Sequence, residues 1–87
     1  MSYAVLVSTR AAKDLADLPA SVQRRVRALI DRLATEPRPR RAQALAGVAD
    51  SYRVRVGDYR VVYAVDDAER QVVIARVGHR RDVYRRL

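Results

Sequence analysis

Hydrophobic and polar residues alternate with period two along residues 52–63, on both sides of a central Gly57-Asp58 pair. Such alternation around a two-residue turn predicts a β-hairpin. Pairing across that turn places position 56 opposite 59, 55 opposite 60, 54 opposite 61, 53 opposite 62 and 52 opposite 63. One face of the hairpin is then apolar and aromatic, and we expect it in the core. The other face carries three arginines: Arg53, Arg55 and Arg60.

The first part of the chain predicts one strand and two helices. Residues 3–7 form a continuously apolar, β-favouring run, which is typical of a strand buried on both faces in the interior of a sheet. Ser8 or Thr9 can cap a short helix, which ends before Leu18-Pro19 because the residue before proline avoids the α region. A second helix follows, and Pro37 ends it. Its apolar stripe has the spacing of an amphipathic helix: Val22, Val26, Leu29, Ile30 and Leu33.

The last strand is predicted at residues 71–78, after a polar turn at residues 66–70. A five-residue turn sends positions 73, 75 and 77 to the core and places Arg76 opposite Arg60 on the arginine-bearing side. A four-residue turn reverses the parity and sends positions 72 and 74 inside. We favour the five-residue turn, because it keeps Arg76 out of the core.

The predicted order of elements is β-α-α-β-β-β in a single domain, residues 1–87. Helices followed by a run of strands favour an α+β fold: a mainly antiparallel four-stranded sheet with a helical hairpin packed on one face. Residues 42–46 are interpreted as either a short turn of helix or extended chain. The arginine-bearing side of the hairpin is then the open side of the sheet.

Charge indicates the class of ligand that the open face binds, since three like charges on one face of a ladder destabilise it. The chain has 18 Lys and Arg residues against 10 Asp and Glu, a net charge of +8, and Lys13 is its only lysine. Arginine binds phosphate through bidentate hydrogen bonds. The composition therefore favours a polyanion, either a nucleic acid or an acidic protein.

Several function classes are excluded by composition. The chain has no cysteine, so it forms no disulfide and has no thiolate metal site or Cys nucleophile. It has no apolar run of about 18 residues that would span a membrane. Its first residues lack the pattern of a signal peptide, and a cytoplasmic location is expected.

A combination of short motifs resembles the RelE branch of the RelE/ParE toxin superfamily. The motifs are Leu45-x-Gly47, Tyr52-Arg53-Val54-Arg55, Gly57-Asp58-Tyr59-Arg60-Val61-Val62-Tyr63, Val77-Gly78-His79-Arg80 and Val83-Tyr84. The resemblance implies the toxin half of a type II toxin–antitoxin pair, neutralised by a cognate antitoxin whose acidic or amphipathic segment wraps it. It implies cleavage of messenger RNA on the ribosome without metal or other cofactor, through attack of a 2′-hydroxyl that leaves a 2′,3′-cyclic phosphate.

The same resemblance assigns roles to individual residues. It implies that Arg60 and Arg80 stabilise the phosphate in the transition state and that Tyr84 stacks on or orients a base. The other basic residues near them are expected to bind RNA: Arg53, Arg55, Arg76 and Arg81. Positions 53 and 55 hold lysine in the best-studied members of the branch. Because arginine stays protonated, the general base is not assigned.

Two other functions are compatible with the same fold. A ParE-type toxin would poison DNA gyrase and would have no nuclease chemistry, and a catalytically inactive module would only bind RNA or the antitoxin. His79 is either an acid or base titrating near neutrality or a strand-end residue on the face opposite Arg80, and strand alternation favours the second. The arginines on the polar side of the second helix are interpreted as a solvated face: Arg24, Arg25, Arg27 and Arg32.

Overall fold

A five-stranded mixed sheet with two helices on one face makes up the computed structural model, which describes residues 2–81. The elements are β1 (Ala4–Val7), α1 (Thr9–Ala16), α2 (Ala20–Leu33), β2 (Gln43–Ala44), β3 (Ser51–Val56), β4 (Tyr59–Asp66) and β5 (Gln71–His79). The strand order is β1-β5-β4-β3-β2, with β1 parallel to β5 and the other three pairs antiparallel. The predicted α+β class is confirmed. The sheet has five strands instead of four, because residues 43–44 pair with β3.

Both helices begin and pack as their sequences predict. The Ser8 hydroxyl accepts a hydrogen bond from the Ala11 backbone N–H at 3.0 Å and caps α1, which satisfies one of the unpaired donors of the first turn. Helix α2 starts directly after Pro19 and buries most of its apolar stripe, from Val26 to Leu33. Neither helix in the described part of the chain is long and apolar enough to cross a membrane.

The core lies between these helices and the apolar face of the hairpin. Tyr63 is fully buried in it, stacks on Tyr52 with ring centroids 5.7 Å apart, and donates its hydroxyl proton to the Pro37 carbonyl at 2.8 Å. The predicted hairpin register is confirmed at all five expected pairs, from Tyr52–Tyr63 to Val56–Tyr59. Gly57 has φ +60° in the turn, a backbone conformation that glycine adopts more readily than residues with a Cβ atom.

The prediction for β1 was wrong. This strand lies at the edge of the sheet, with β5 on one side and no strand on the other among residues 2–81. Leu6 is 46% exposed and Val7 is 42% exposed. An apolar run of this length indicates a strand but does not distinguish an edge from the interior, because that depends on which strands arrive later in the chain.

The preferred turn between β4 and β5 was also wrong. Asp66 pairs with Gln71, so the turn has four residues, and Val72 and Ile74 are buried. The register then shifts by one residue between Val62 and Tyr63, at a β-bulge. After the bulge, Val77 enters the core, and Arg76 points to the other face as predicted. Arg60 consequently pairs with Gly78 and not with Arg76.

Candidate functional site

The side of the sheet opposite the helices carries the predicted basic residues. We call this the arginine face, and it comprises Arg53, Arg55, Arg60 and Arg76. Arg55 and Arg60 are direct partners in the β3–β4 ladder, which places their Cβ atoms about 5 Å apart. Val62 lies between Arg53 and Arg76 in the ladder and is only 3% exposed. The face therefore has an apolar floor between guanidinium groups.

Arg60 is the central cation of the face. Its ladder partner on β5 is Gly78, which has no side chain to fill the space opposite it. One terminal nitrogen, Nη1, is buried and has no hydrogen-bond partner, and the side chain makes no ion pair within residues 2–81. Leaving a buried donor unpaired is costly. This arrangement is suited to an anion that would complete the hydrogen bonding of the guanidinium.

Arg80 and Arg81 follow the end of β5. The Arg80 backbone N–H donates to the Asp58 carbonyl at 2.8 Å, so the main chain holds Arg80 beside the hairpin turn that leads into Arg60. Both side chains are exposed. The structure thus brings Arg55, Arg60 and Arg80 to one end of the sheet.

Arg53 and Arg76 lie on the same face and have hydrogen-bond partners, although Nη1 of Arg76, like that of Arg60, is buried without one. Two guanidinium nitrogens of Arg53, Nε and Nη2, donate to the Gln43 side-chain oxygen at 3.0 and 2.8 Å. Arg76 donates from Nε to Asp14 Oδ2 at 2.9 Å, and these two side chains are 12% and 15% exposed. Arg76 is therefore held by protein contacts to a greater extent than the resemblance implies for an RNA-binding residue.

Asp14 is a functional-site neighbour that no sequence pattern singles out. Its Oδ2 also accepts the backbone N–H of Val77 at 2.9 Å. Strand β1 pairs with β5 only as far as Ile74. Beyond Ile74, the Asp14 carboxylate accepts the hydrogen bond that a neighbouring strand would otherwise accept from Val77. Asp14 thereby fixes the segment of β5 that leads to Gly78 and Arg80.

His79 lies on the other side of β5 from the arginine face. It pairs with Tyr59, and the two rings meet edge to face with centroids 5.6 Å apart. Its Nδ1 accepts the Arg81 backbone N–H at 3.3 Å. These contacts support the strand-end interpretation. Tyr84, the remaining predicted site residue, lies outside the described residues.

A second polar cluster, also not anticipated, ties the loop after α2 to the far end of the sheet. Arg38 donates to both oxygens of Asp67, at 3.1 and 2.8 Å, and its Nε donates to the Tyr52 hydroxyl at 2.8 Å. The Tyr3 hydroxyl also donates to Asp67, at 2.7 Å. The hydrogen bonds from Arg38 and then Tyr3 lower the pKa of Asp67. This cluster lies away from Arg60 and is structural.

The chemistry available on the arginine face is phosphate binding and charge stabilisation. Within residues 2–81 no group of three or more His, Cys, Asp or Glu residues is arranged to hold a metal ion. Asp14, the acid that contacts Arg76 of this face, already accepts two hydrogen bonds. Fixed guanidinium donors can stabilise the negative charge that develops on a phosphorane.

Comparisons with known proteins agree with the fold and the motifs. The family model described as the ParE toxin of type II toxin–antitoxin systems matches residues 5–84. Toxin RelG of Mycobacterium tuberculosis is 37% identical over 91 residues, covering 99% of this chain and 100% of the relative.

Two solved complexes contain similar chains. In the RelE–RelB complex from Pyrococcus horikoshii, the matched chain is 34% identical with a TM-score of 0.82, covering 95% of this chain and 100% of that one. The RelBE2 toxin–antitoxin complex from Mycobacterium tuberculosis gives 34% identity and a TM-score of 0.80, covering 91% and 99%.

Proposed function

We propose that this chain is a ribosome-dependent endoribonuclease. It belongs to the ParE toxin family of type II toxin–antitoxin systems and is similar to toxins named RelE and RelG. Its substrate is messenger RNA, and cleavage inhibits translation in the cytoplasm. The observation that carries the proposal is the unpaired, half-buried guanidinium of Arg60 opposite Gly78, with Arg80 held beside the same hairpin turn.

The proposed reaction is an in-line attack by a 2′-hydroxyl on the adjacent phosphate. The 2′-oxygen bonds to phosphorus, the 5′-oxygen of the next nucleotide leaves, and the products carry a 2′,3′-cyclic phosphate and a 5′-hydroxyl. Arg60 and Arg80 bind the non-bridging oxygens and stabilise the doubly charged phosphorane. Removing one such donor typically costs a factor of about 10²–10³ in rate.

The remaining basic residues bind and position the RNA in this scheme. Arg53, Arg55 and Arg81 contact phosphates, and Tyr84 stacks on or orients a base. Arg76 contributes positive charge from its ion-paired position. Arginine at positions 53 and 55 cannot readily accept the 2′-hydroxyl proton, so the rate acceleration rests mainly on orientation and charge stabilisation.

Single alanine substitutions test this assignment. Arg60→Ala and Arg80→Ala should abolish growth inhibition and position-specific mRNA cleavage, measured by primer extension in a translating extract. Arg24→Ala is the matched control, because it removes an equal charge from an exposed position on α2. Circular dichroism and antitoxin binding should be unchanged in all three variants. Full toxicity of both site variants would show that the site is assigned wrongly.

Gyrase poisoning is the alternative, favoured by the ParE name of the matching family model and by the arginines at positions 53 and 55. It predicts gyrase-linked DNA breaks and an SOS response on expression, with messenger RNA intact. Cleavage of mRNA without DNA breaks would exclude it.

We further propose that a cognate antitoxin binds and neutralises the chain. The similar solved structures include complexes of RelE-type toxins with RelB-type antitoxins, and the excess of positive charge suits an acidic partner segment. Co-purification of the two proteins, with loss of toxicity on co-expression, tests this partnership.

A further inference from the structure

The outer edge of β1 has unpaired backbone groups within residues 2–81. Strand β1 pairs only with β5. The N–H groups of Ala4 and Ser8 donate to carbonyls on the β5 side, and backbone groups of successive residues in a strand point to opposite sides. Val5 and Val7 therefore direct their N–H and C=O groups outward, where the described part of the chain offers them no backbone partner.

This edge lacks the features that usually protect an unpaired strand. Natural edge strands are commonly blunted by charged side chains, by proline or by a β-bulge. Residues 4–7 contain no charge and no proline, and their register with β5 is regular. Leu6 and Val7 are two of the three large hydrophobic residues that are exposed among the described residues. The edge is therefore apolar and open to a further strand.

A second copy of the same strand fits this edge. In an antiparallel pair with Leu6 of one copy opposite Leu6 of the other, Val5 of each copy lies opposite Val7 of the other. Each Val5–Val7 pair exchanges its N–H and C=O groups, so every outward group of both strands obtains a hydrogen bond. The two leucines form a non-hydrogen-bonded pair, in which the Cα atoms are about 4.5 Å apart and the side chains are close.

Helix α2 lies beside the same edge and carries two opposite charges there. The Tyr3 N–H donates to the carbonyl of Ala34, at the end of α2, so the helix runs back along β1. Arg27 and Asp31, one helical turn apart, line a depression together with the two outward valines. It follows that Asp31 is nearer to the start of β1 and Arg27 is nearer to its end.

A two-fold pairing of β1 brings these charges together across the interface. In an isologous contact each feature of one copy meets the reversed feature of the other. Arg27 of each copy then faces Asp31 of the other, on the helix side of the joined sheet. Within the described residues, neither side chain has an ion-pair or side-chain hydrogen-bond partner. Both charges are thus available to a partner that carries the same sequence in the reverse direction.

We propose that two copies of this chain associate through β1 and join their sheets into one. A strand of unrelated sequence would satisfy the backbone groups of the edge but would not supply the reversed order of Arg27 and Asp31. The contact is small and belongs to the weak class of interfaces that bury less than about 1,200 Å², so dimerisation should depend on concentration in the micromolar range. The inference does not depend on the proposed nuclease function.

Charge exchange on α2 tests the identity of the partner. Sedimentation of the purified chain, free of antitoxin, measures the dimer across micromolar concentrations. Arg27→Asp and Asp31→Arg each place like charges opposite one another, twice in a symmetric dimer, and each should weaken dimerisation about tenfold. The double variant Arg27→Asp/Asp31→Arg restores opposite charges and should recover the affinity to within about threefold. Arg32→Asp is the matched control, since it reverses an exposed charge on the side of α2 that faces Val56.

A cysteine variant locates the contact independently. The chain has no cysteine, so Leu6→Cys introduces a single thiol, and a Cα separation of about 4.5 Å across the two-fold axis permits a disulfide. Mild oxidation should convert Leu6→Cys to a covalent dimer, whereas Val48→Cys, which is exposed outside β1, should remain a monomer.

Three results would overturn the proposal. They are a chain that stays monomeric at every concentration, equal cross-linking of the two cysteine variants, and a double charge exchange that fails to restore the dimer. A chain that cleaves no mRNA but dimerises as described would refute the nuclease proposal and leave the β1 contact established.

Discussion

Replacing Asp14 with alanine should destabilise the protein by about 3 kcal/mol. The carboxylate accepts hydrogen bonds from Arg76 Nε and the Val77 backbone N–H, both at 2.9 Å, in a largely buried position. Removing one member of a buried ion pair typically costs about 3–5 kcal/mol, because the remaining charge is left unpaired. The lower limit is taken here since both side chains keep some exposure to solvent. In a domain of this size, the melting temperature should fall by roughly 12–24 °C.

Urea unfolding followed by circular dichroism measures the effect, with a double-mutant cycle to isolate the pair. Arg76→Met removes the charge that Asp14→Ala leaves unpaired, so the double variant should recover about 1–2 kcal/mol relative to the sum of the two single variants. Recovery should be incomplete, because the Val77 N–H still lacks its acceptor. Asp17→Ala is the matched control: it removes an exposed acid at the end of the same helix and should change stability by less than about 0.5 kcal/mol.

Two outcomes would refute this reasoning. If Asp14→Ala cost no more than the Asp17 control, the carboxylate would not be holding the edge of β5. If the single substitutions were additive, Asp14 and Arg76 would not interact, and Arg76 would be as available for RNA as the motif resemblance implies. The cycle therefore decides the role of Arg76 as well as that of Asp14.

Three further predictions concern pH and salt. Burial raises the pKa of Tyr63 to about 12. The stability that the neutral hydroxyl contributes is therefore intact below pH 10, and up to about 2 kcal/mol of it is lost as pH rises from about 10 to 12. Tyr63→Phe should make this alkaline loss of stability, measured as the urea midpoint at each pH, smaller. Hydrogen bonds from Arg38 and Tyr3 lower the pKa of Asp67. The stability that the ionised Asp67 carboxylate contributes is therefore present above about pH 4 and is lost as pH falls through the lowered pKa. The difference in melting temperature between the wild type and Asp67→Asn should become smaller from pH 7 to pH 3. Arg81→Ala should reduce the slope of log K against log salt for oligouridylate by about 0.7, with no change in sequence preference.

The hairpin could be predicted in full because its determinants are local. Period-two alternation fixes which residues share a face, and a two-residue turn at Gly57-Asp58 fixes the register. Helix α2 is equally well defined by its apolar spacing and by Pro37 beyond its end. In both cases the signal lies within one short segment of the chain.

Features that depend on distant segments could not be predicted in this way. The edge position of β1 is set by its parallel pairing with β5, more than sixty residues later in the chain. The role of Asp14 arises only because β1 ends where α1 begins, which leaves the Val77 N–H without a strand partner. An acid on a short helix carries no sequence signal for such a contact.

The sequence alone selects the residues of the candidate site but does not predict their geometry. The motif resemblance selected Arg60 and Arg80, and the structure places both beside the hairpin turn. The expected Arg60–Arg76 pairing followed from the wrong turn length. That error matters for function, since it would have placed two cations opposite each other where the structure has a glycine.

The β-bulge on β5 explains how this strand places apolar side chains in the core along its whole length while Arg76 stays on the arginine face. Without the shift, the register set by Asp66–Gln71 would continue, placing Arg76 opposite Val61 in the core and Val77 on the arginine face. The extra residue reverses the parity, so that Val77 is buried and Arg76 reaches Asp14. It also brings Gly78 opposite Arg60. The bulge therefore places a residue without a side chain opposite Arg60, beside the proposed phosphate site, and bulges commonly redirect side chains next to active sites in this way.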